Sequence, residues 1–144
     1  MLVPFRTAAA LAAAAGLLVA AGCGDNRSAV SGRVSLDGKP VEAGTISFVP
    51  EATTKGPSAG ATIANGEYRV EGENLPVPGS YRVEITATKK TGKMIPAGSP
   101  APKGTMVEET VQAVPEKYNK KSTLQKDLKA GSNSLDFDLT TAGN

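Results

Sequence analysis

Apolar and polar residues alternate along most of the chain after residue 30. In the stretch VSGRVSL, Val30, Val34 and Leu36 fall on one side of an extended chain, and the intervening serine and arginine side chains fall on the other. The stretch TISFVP repeats this pattern with Ile46 and Phe48. Because successive side chains of a strand point to opposite faces, a period of two predicts strands that bury one face.

The dipeptide formed by Asn65 and Gly66 lies between two such runs. Both residues tolerate the positive φ angles of a type I′ turn, so the dipeptide predicts a β-hairpin. Folding the chain there matches apolar with apolar and polar with polar side chains, and a slip of one residue would destroy that match. The predicted pairs are Ala64 with Glu67, Ile63 with Tyr68, Thr62 with Arg69, and Ala61 with Val70.

The tetrapeptide YRVE occurs twice, at residues 68–71 and 81–84. In the second copy Tyr81, Val83 and Ile85 alternate with polar residues, so both copies are predicted strands. The residues before them differ, NGE in one case and LPVPGS in the other, which argues against a repeated ligand-binding unit. The stretch LPVPGSY resembles the tyrosine corner of immunoglobulin-like sandwiches, which implies that the Tyr81 hydroxyl bonds to nearby backbone.

Alternation is lost in residues 88–106, TKKTGKMIPAGSPAPKGTM. Three prolines, three glycines and four lysines without an acid predict a long, exposed, basic loop. Its lysines are candidates for contact with an anionic partner, and a solvated loop is the simpler interpretation. These lysines are Lys89, Lys90, Lys93 and Lys103, with Lys117, Lys120 and Lys121 as an extension of the patch.

Further strands are predicted in VEETVQAV, STLQKDLK and SLDFDLT. In the last of these, Leu135, Phe137 and Leu139 alternate with two aspartates. Seven or eight short strands separated by turns, with no convincing helix after the N-terminus, predict an all-β fold. The expected architecture is an antiparallel β-sandwich over residues 30–140.

The succession SGRVSLDGKPVEAGTISFVP, ANGEYRV and PGSYRVEI resembles the carboxypeptidase regulatory-like and transthyretin-like domains of small bacterial envelope lipoproteins. The resemblance covers residues 30–88, and the segments PEKYN and LDFDL are similar to the same group. It implies an immunoglobulin-like (prealbumin-like) sandwich. No site residues come with it, because this fold hosts many functions.

The first 22 residues have the pattern of an export signal. Arg6 precedes an unbroken apolar run over residues 8–21. This run is shorter than the roughly 20 apolar residues that a membrane-spanning helix needs, and small residues follow it, as at a signal-peptide cleavage site. Residues 1–22 are therefore predicted to be a cleaved signal peptide.

Cys23 is the single cysteine and stands where cleavage is expected. The residues AAGC resemble the lipobox of bacterial lipoproteins, which implies that Cys23 is acylated and becomes the mature N-terminus, followed by a linker to residue 29. Several acyl chains would hold the domain stably on a membrane. We expect an exported protein, lipid-anchored to the bacterial cell envelope. The alternative is an ordinary secretory signal beside an incidental cysteine.

Composition narrows the possible chemistry. The chain has a formal charge of +2, which becomes +1 without residues 1–22, and such a balance gives no case for nucleic acid binding. Histidine and tryptophan are absent. Without histidine, and with its cysteine acylated, the chain lacks the usual members of hydrolytic sites. The sequence therefore predicts no enzyme activity and no cofactor.

Two pairs of carboxylates remain as candidates for chemistry. Glu108 and Glu109 would point to opposite faces of a strand, whereas Asp136 and Asp138 would share a face that a calcium ion could approach. Calcium takes roughly six to eight oxygen ligands, more than two aspartates supply. We therefore expect both pairs to be solubilising strand surface and predict no metal site.

Together these features predict a non-enzymatic, lipid-anchored envelope protein. Its β-sandwich would be a structural or protein-interaction module that meets an unidentified protein or polysaccharide. The alternative is a carbohydrate-binding or small-ligand carrier domain that uses the lysine-rich loop and an exposed Tyr118.

Overall fold

The computed structural model describes residues 26–142, and these residues are almost entirely strand and turn. This confirms the predicted all-β class, with ten strands in place of seven or eight. Cys23 and the predicted signal peptide lie outside the described residues. The elements are β1 Ser28–Leu36, β2 Lys39–Pro40, β3 Ala43–Pro50, β4 Ala59–Ala64, β5 Glu67–Val70, β6 Gly79–Pro96, β7 Met106–Gln112, a 3₁₀ helix Glu116–Tyr118, β8 Gln125–Leu128, β9 Gly131–Ser134 and β10 Phe137–Leu139.

Hydrogen-bonded strands follow the order β10-β1-β5-β4-β3-β6-β7, with β2 and β9 also beside β1 and β8 beside β6. The long strand β1 changes partners along its length. Its first part pairs with β5 and β9, and its last residues pair with β2 and β10. This arrangement fits a β-sandwich, because a strand shared between two sets of partners lets the sheet fold over its own apolar face.

Two pairings depart from the predicted antiparallel arrangement, because β9 and β10 run parallel to β1. Strand β8 finishes on the side of the sheet at which β1 starts. At that point the Gly131 N–H donates to the Arg27 carbonyl at 2.9 Å. The chain enters β9 beside Ser28, the first residue of β1, and has to continue in the direction of β1. The φ of Gly131 is +90°, which glycine adopts at little cost.

The predicted hairpin turn and its register are confirmed. Asn65 and Gly66 have φ angles of 51° and 79°, as a type I′ turn requires. Ile63 lies opposite Tyr68 and Ala64 opposite Glu67. The pairing of β4 with β5 ends there, so the predicted pairs of Thr62 with Arg69 and of Ala61 with Val70 are absent. All four residues of β5 pair with β1 on its other side.

The core is built from the inward faces of these strands. The rings of Phe48 and Tyr68 have centroids 6.2 Å apart, and Tyr68 lies 6.3 Å from Phe137. These three aromatic residues therefore link β3, β5 and β10 across the interior. Their apolar surroundings include Val30, Val34, Ile46, Ile63, Val83 and Ile85, which are all buried.

The predicted tyrosine corner is present at the start of β6. The side chain of Tyr81 is fully buried, and its hydroxyl donates to the carbonyl of Val77 at 2.9 Å. A buried phenol needs such a partner, because an unsatisfied hydroxyl costs about 1 to 3 kcal/mol. The bond thus fixes the approach of the LPVPGS segment to the sandwich.

The connection between β9 and β10 crosses directly over Gly32 in β1. The Leu135 N–H donates to the Ser31 carbonyl at 2.9 Å, and the Leu135 carbonyl accepts the Tyr68 hydroxyl at 2.8 Å. A β-carbon at Gly32 would lie 1.8 Å from the Leu135 oxygen. The crossover therefore requires a glycine at position 32. This is also the position at which the apolar alternation of β1 is interrupted.

Alkaline pH is expected to weaken the fold through Tyr68. Burial, and after it the charge of Asp136, raises the pKa of the Tyr68 phenol above its ordinary value of about 10. The folded chain then keeps a proton that the unfolded chain loses. The stability that the protonated Tyr68 phenol contributes is fully present below pH 10. Above pH 10 the free energy of unfolding falls by up to about 1.4 kcal/mol per pH unit.

Urea unfolding between pH 9 and pH 11 measures this loss. The variant Tyr68→Phe provides the control, because it has no phenol at this position and should show a shallower decline. An equal decline in both proteins would contradict the assignment to Tyr68.

The predicted boundary between linker and domain is wrong by two residues. Strand β1 begins at Ser28, whose side chain is fully buried and whose N–H donates to the Pro76 carbonyl at 2.7 Å. Arg27 also donates to the backbone carbonyl of Glu73. The polarity of this segment suggested a linker, but its backbone is held by the neighbouring segment and by β9.

The predicted long loop over residues 88–106 is also wrong for most of its length. Strand β6 continues to Pro96 and β7 begins at Met106, so only residues 97–105 connect them. Alternation is absent here because neither face of this part of the sheet is buried. The exposure of this segment was predicted correctly. Its residues are exposed because they form a pair of strands that the sandwich does not cover, rather than a loop.

Candidate functional site

The upper part of β6, β7 and their connection form a two-stranded ribbon, which we define as residues 88–112. Strand β3 pairs with β6 only as far as Ala87, so the ribbon continues beyond the body of the sandwich. In the part of the chain that the structure describes, β7 pairs only with β6. A two-stranded hairpin is marginally stable on its own, so the attachment of β6 to the sandwich supports the ribbon.

The ribbon carries four large apolar residues that are exposed. Within residues 26–142, the exposed large hydrophobic residues are Met94 (53%), Met106 (48%), Val107 (42%) and Val111 (38%). All four lie in the ribbon, whereas the apolar side chains of the sandwich face its core. Single exposed apolar residues are normal on a protein surface, but their concentration on one projection is typical of an interaction site.

Three of the four predicted lysines lie on the β6 strand of the ribbon, and Lys103 lies in its connection. Lys90 pairs with Glu108 at 3.2 Å, and Lys93 approaches Glu109 at 3.9 Å. Within the described residues, neither Lys89 nor Lys103 forms an ion pair. Glutamates therefore offset half of the predicted basic patch.

Of the three lysines predicted to extend this patch, Lys121 is offset by an acid, whereas Lys117 and Lys120 form no ion pair within the described residues. Lys121 pairs with Glu116 at 2.9 Å, which raises the pKa of the lysine and lowers that of the glutamate. Lys117 donates to the Ala142 carbonyl at 2.9 Å and lies over the Tyr118 ring. The bond of Lys117 joins the 3₁₀ helix to the C-terminal segment, whereas the Lys121 pair is local.

A bulge in β6 brings the two glutamates of β7 together. Three residues of β6, numbers 91–93, face one residue of β7. The Gly92 N–H donates to a Glu108 carboxylate oxygen at 3.1 Å, and the Thr91 hydroxyl donates to Glu109 at 3.0 Å. Although adjacent residues of a strand point to opposite faces, both carboxylates reach this bulge. The pairing of β6 with β7 determines that both glutamates approach the bulge. In the sequence only the glycine at position 92, whose φ is 79°, indicates an irregularity here.

The second carboxylate pair is bound to β1. Asp136 accepts the Arg33 backbone N–H at 2.8 Å, and Asp138 accepts the Ser35 hydroxyl at 2.5 Å. These bonds fasten the final strands to β1. No group of three or more metal-binding side chains occurs among residues 26–142.

The predicted exposure of Tyr118 is wrong. Its side chain is half-buried and packs against the hydrophobic core, because the 3₁₀ helix brings it onto the sandwich. Its hydroxyl accepts the Thr140 N–H at 3.3 Å. The ring is therefore not free to stack on a sugar in the way that the carbohydrate-binding alternative assumed.

A surface depression of about 710 Å³ lies on the outer face of β1 and β5. Arg33 and Arg69 line it, but Arg33 pairs with Glu67 at 3.7 Å and Arg69 with Glu71 at 3.4 Å. All four side chains are at least 70% exposed. Exposed pairs of this kind contribute little, and they offset the charge of both arginines that line the depression. The ribbon is therefore the stronger candidate site.

Comparisons with known proteins add no assignment. No family model, no curated protein and no solved structure matched the chain. No helix within residues 26–142 has the length and apolarity needed to cross a membrane.

Proposed function

We propose that this protein is a non-enzymatic, lipid-anchored module of the bacterial cell envelope that binds a protein partner through the β6–β7 ribbon. The observation that carries the proposal is the concentration of exposed apolar side chains on the ribbon. Between 38% and 53% of the surface of these residues remains exposed. Their burial against a partner would contribute about 25 cal/mol for each Å² of apolar surface removed from water.

The anchor is supported by the sequence around Cys23. An apolar run of signal-peptide length, small residues and a single cysteine occur together in the order of a lipobox. The proposal includes cleavage after residue 22, acylation of Cys23 and retention on the envelope membrane. It also includes the immunoglobulin-like (prealbumin-like) topology, supported by the tyrosine corner at Tyr81 and by the hairpin turn.

A protein partner is favoured over a polysaccharide. The ribbon contains no aromatic residue, and Tyr118 packs against the sandwich. Methionine and valine, by contrast, suit a protein surface, and methionine adapts to partners of different shape. The carbohydrate-binding alternative therefore has less support than protein binding.

Metabolic labelling tests the anchor. Cells grown with a clickable fatty acid should label the native chain, whereas Cys23→Ser should remain unlabelled because the acyl acceptor is gone. An unlabelled native chain, or a label that survives the substitution, would remove the anchor from the proposal.

Crosslinking on intact cells tests the ribbon. Replacement of Met94, Met106, Val107 and Val111 by threonine keeps residues that favour strands and removes the apolar contacts. We expect the crosslinked complex to fall about thirtyfold, because loss of central interface contacts typically costs about 2 kcal/mol or more.

A matched control carries Arg33→Gln and Arg69→Gln on the outer face of β1 and β5. This variant should give the native amount of complex, since its substitutions lie on the body of the sandwich. The ribbon would be rejected as the binding site if the threonine variant gave the same complex as the native chain. A glycan array tests the alternative hypothesis of carbohydrate binding. Glycan binding that disappears in the threonine variant would favour that hypothesis.

A further inference from the structure

The outer edge of β7 has backbone groups that face away from β6. The Ala113 N–H donates to Ala87, and the Thr105 carbonyl accepts from Ala97. In an antiparallel strand the backbone groups of successive residues point to opposite edges. Odd-numbered residues of β7 therefore bond to β6, and the N–H and C=O groups of residues 108, 110 and 112 point to the open edge.

Open edges are usually guarded by charge, bulges or proline. The two charged residues of β7 do not guard its outer edge, because Glu108 and Glu109 both reach across to the bulge in β6. Lys90 and Lys93 offset their charge there. The bulge itself interrupts β6 and leaves β7 regular over its seven residues. The outer edge of β7 is thus the more receptive edge of the ribbon.

Side chains on both faces of β7 offer further contacts to an added strand. Val107 and Val111 lie on one face, and Met106 lies on the other. All three are exposed. In strand addition, backbone bonds supply affinity and alternate side chains supply specificity.

The ribbon lies at the end of the sheet opposite to the proposed anchor. Matched residues run across the sheet from Gly32 through Tyr68, Ile63 and Gly44 to Ala87. Ser28 lies four residues before Gly32 on β1, toward one end of the sheet. Pro96 lies nine residues after Ala87 on β6, toward the opposite end. At about 3.3 Å per residue, these positions differ in height by about 40 Å.

The tether is short compared with this height. Four residues separate Cys23 from Ser28 and span at most about 17 Å when fully extended. The ribbon is therefore directed into the aqueous space, where a polypeptide partner meets it more readily than the anchoring lipid.

Charge points to the chemistry of that polypeptide. The ribbon contains four lysines and two glutamates, and Lys89 and Lys103 form no ion pair within the described residues. A net positive ribbon favours an acidic partner and disfavours a basic one.

We propose that the outer edge of β7 binds an extended, acidic segment of a protein partner, which adds to the sheet as a further strand. This inference rests on the proposed function and adds the binding edge, the binding mode and the chemistry of the partner. The backbone groups of residues 108, 110 and 112 bond to the added strand, and Val107 and Val111 contact its apolar side chains.

Hydrogen exchange of the full-length protein in lipid nanodiscs tests the mode with a defined probe. The probe is a capped nine-residue peptide that alternates valine with glutamate. At a concentration of ten times its Kd, amide exchange at residues 108, 110 and 112 should slow about tenfold. A peptide with lysine in place of glutamate should bind at least tenfold more weakly, and equal binding would overturn the acidic assignment.

Thr110→Pro removes an N–H from the outer edge and leaves the bonds to β6 intact, because proline is tolerated on edge strands whose N–H faces solvent. This variant should lose the protection, and the matched Thr110→Ala should keep it. Should Thr110→Pro fail to fold, a probe N-methylated on alternate amides gives the same test on the native protein. Strand addition is overturned by protection that persists in folded Thr110→Pro or with the N-methylated probe, or by no protection with the glutamate peptide.

The cellular complex separates this inference from the proposed function. If the threonine variant of the ribbon loses the crosslinked complex and folded Thr110→Pro keeps it, the ribbon binds its partner in another way and strand addition fails. If the threonine variant keeps the complex, the proposed function fails first.

Discussion

Gly32→Ala is expected to destabilise the protein by about 4 kcal/mol. The new β-carbon would lie 1.8 Å from the Leu135 oxygen and 2.6 Å from its carbonyl carbon. Both are backbone atoms, so no side-chain rotation relieves the clash. Overpacking costs about 1 to 3 kcal/mol, and moving Leu135 also breaks its bonds to Ser31 and Tyr68 at about 1 kcal/mol each.

Urea unfolding measures the loss, and Gly98→Ala is the control. Gly98 has open space around its α-carbon and lies in the ribbon connection. Its substitution should change the free energy of unfolding by no more than about 0.5 kcal/mol. If Gly32→Ala is as stable as Gly98→Ala, the crossover does not pass over Gly32 as described.

Phe48→Ala is expected to cost about 3 to 5 kcal/mol. The Phe48 side chain is fully buried and its ring contacts that of Tyr68 in the row of core aromatic residues. Its removal loses the transfer free energy of the ring and leaves a cavity that the close-packed interior fills only in part. The midpoint of urea unfolding should fall without a change in the slope of the transition.

Met94→Ala gives the informative comparison. Met94 is 53% exposed on the ribbon, so its truncation should change the stability by no more than about 0.5 kcal/mol. A large loss of stability would show that the ribbon methionines serve the fold. A small one would leave their exposure to be explained by a partner, as the proposed function requires.

Local pattern predicted the elements in which one face is buried. Alternation around Ile46, Phe48 and Tyr81 identified β3 and the first part of β6, and the hairpin at Asn65 and Gly66 was predicted together with its register. The tyrosine corner was equally local, because the Tyr81 hydroxyl reaches only four residues back to Val77. In each case the interacting residues are close in sequence or share one buried face.

The candidate site was predicted only in part. The lysines and their exposure were found correctly, but the segment was taken for a loop because both of its faces are in solvent. Period-two alternation reports the burial of one face rather than strand conformation itself. The bulge, the capture of Glu108 and Glu109 and the open edge of β7 all depend on pairing between strands.

The sequence by itself determined that this chain is all-β, where its best hairpin turns, and which side chains face the core. Only the tertiary structure decided that the last strands run parallel to β1, that Leu135 crosses over Gly32, and that residues 88–112 project as a ribbon. The physical reason is distance along the chain. Leu135 and Gly32 are about a hundred residues apart, and no local preference of either residue specifies that contact.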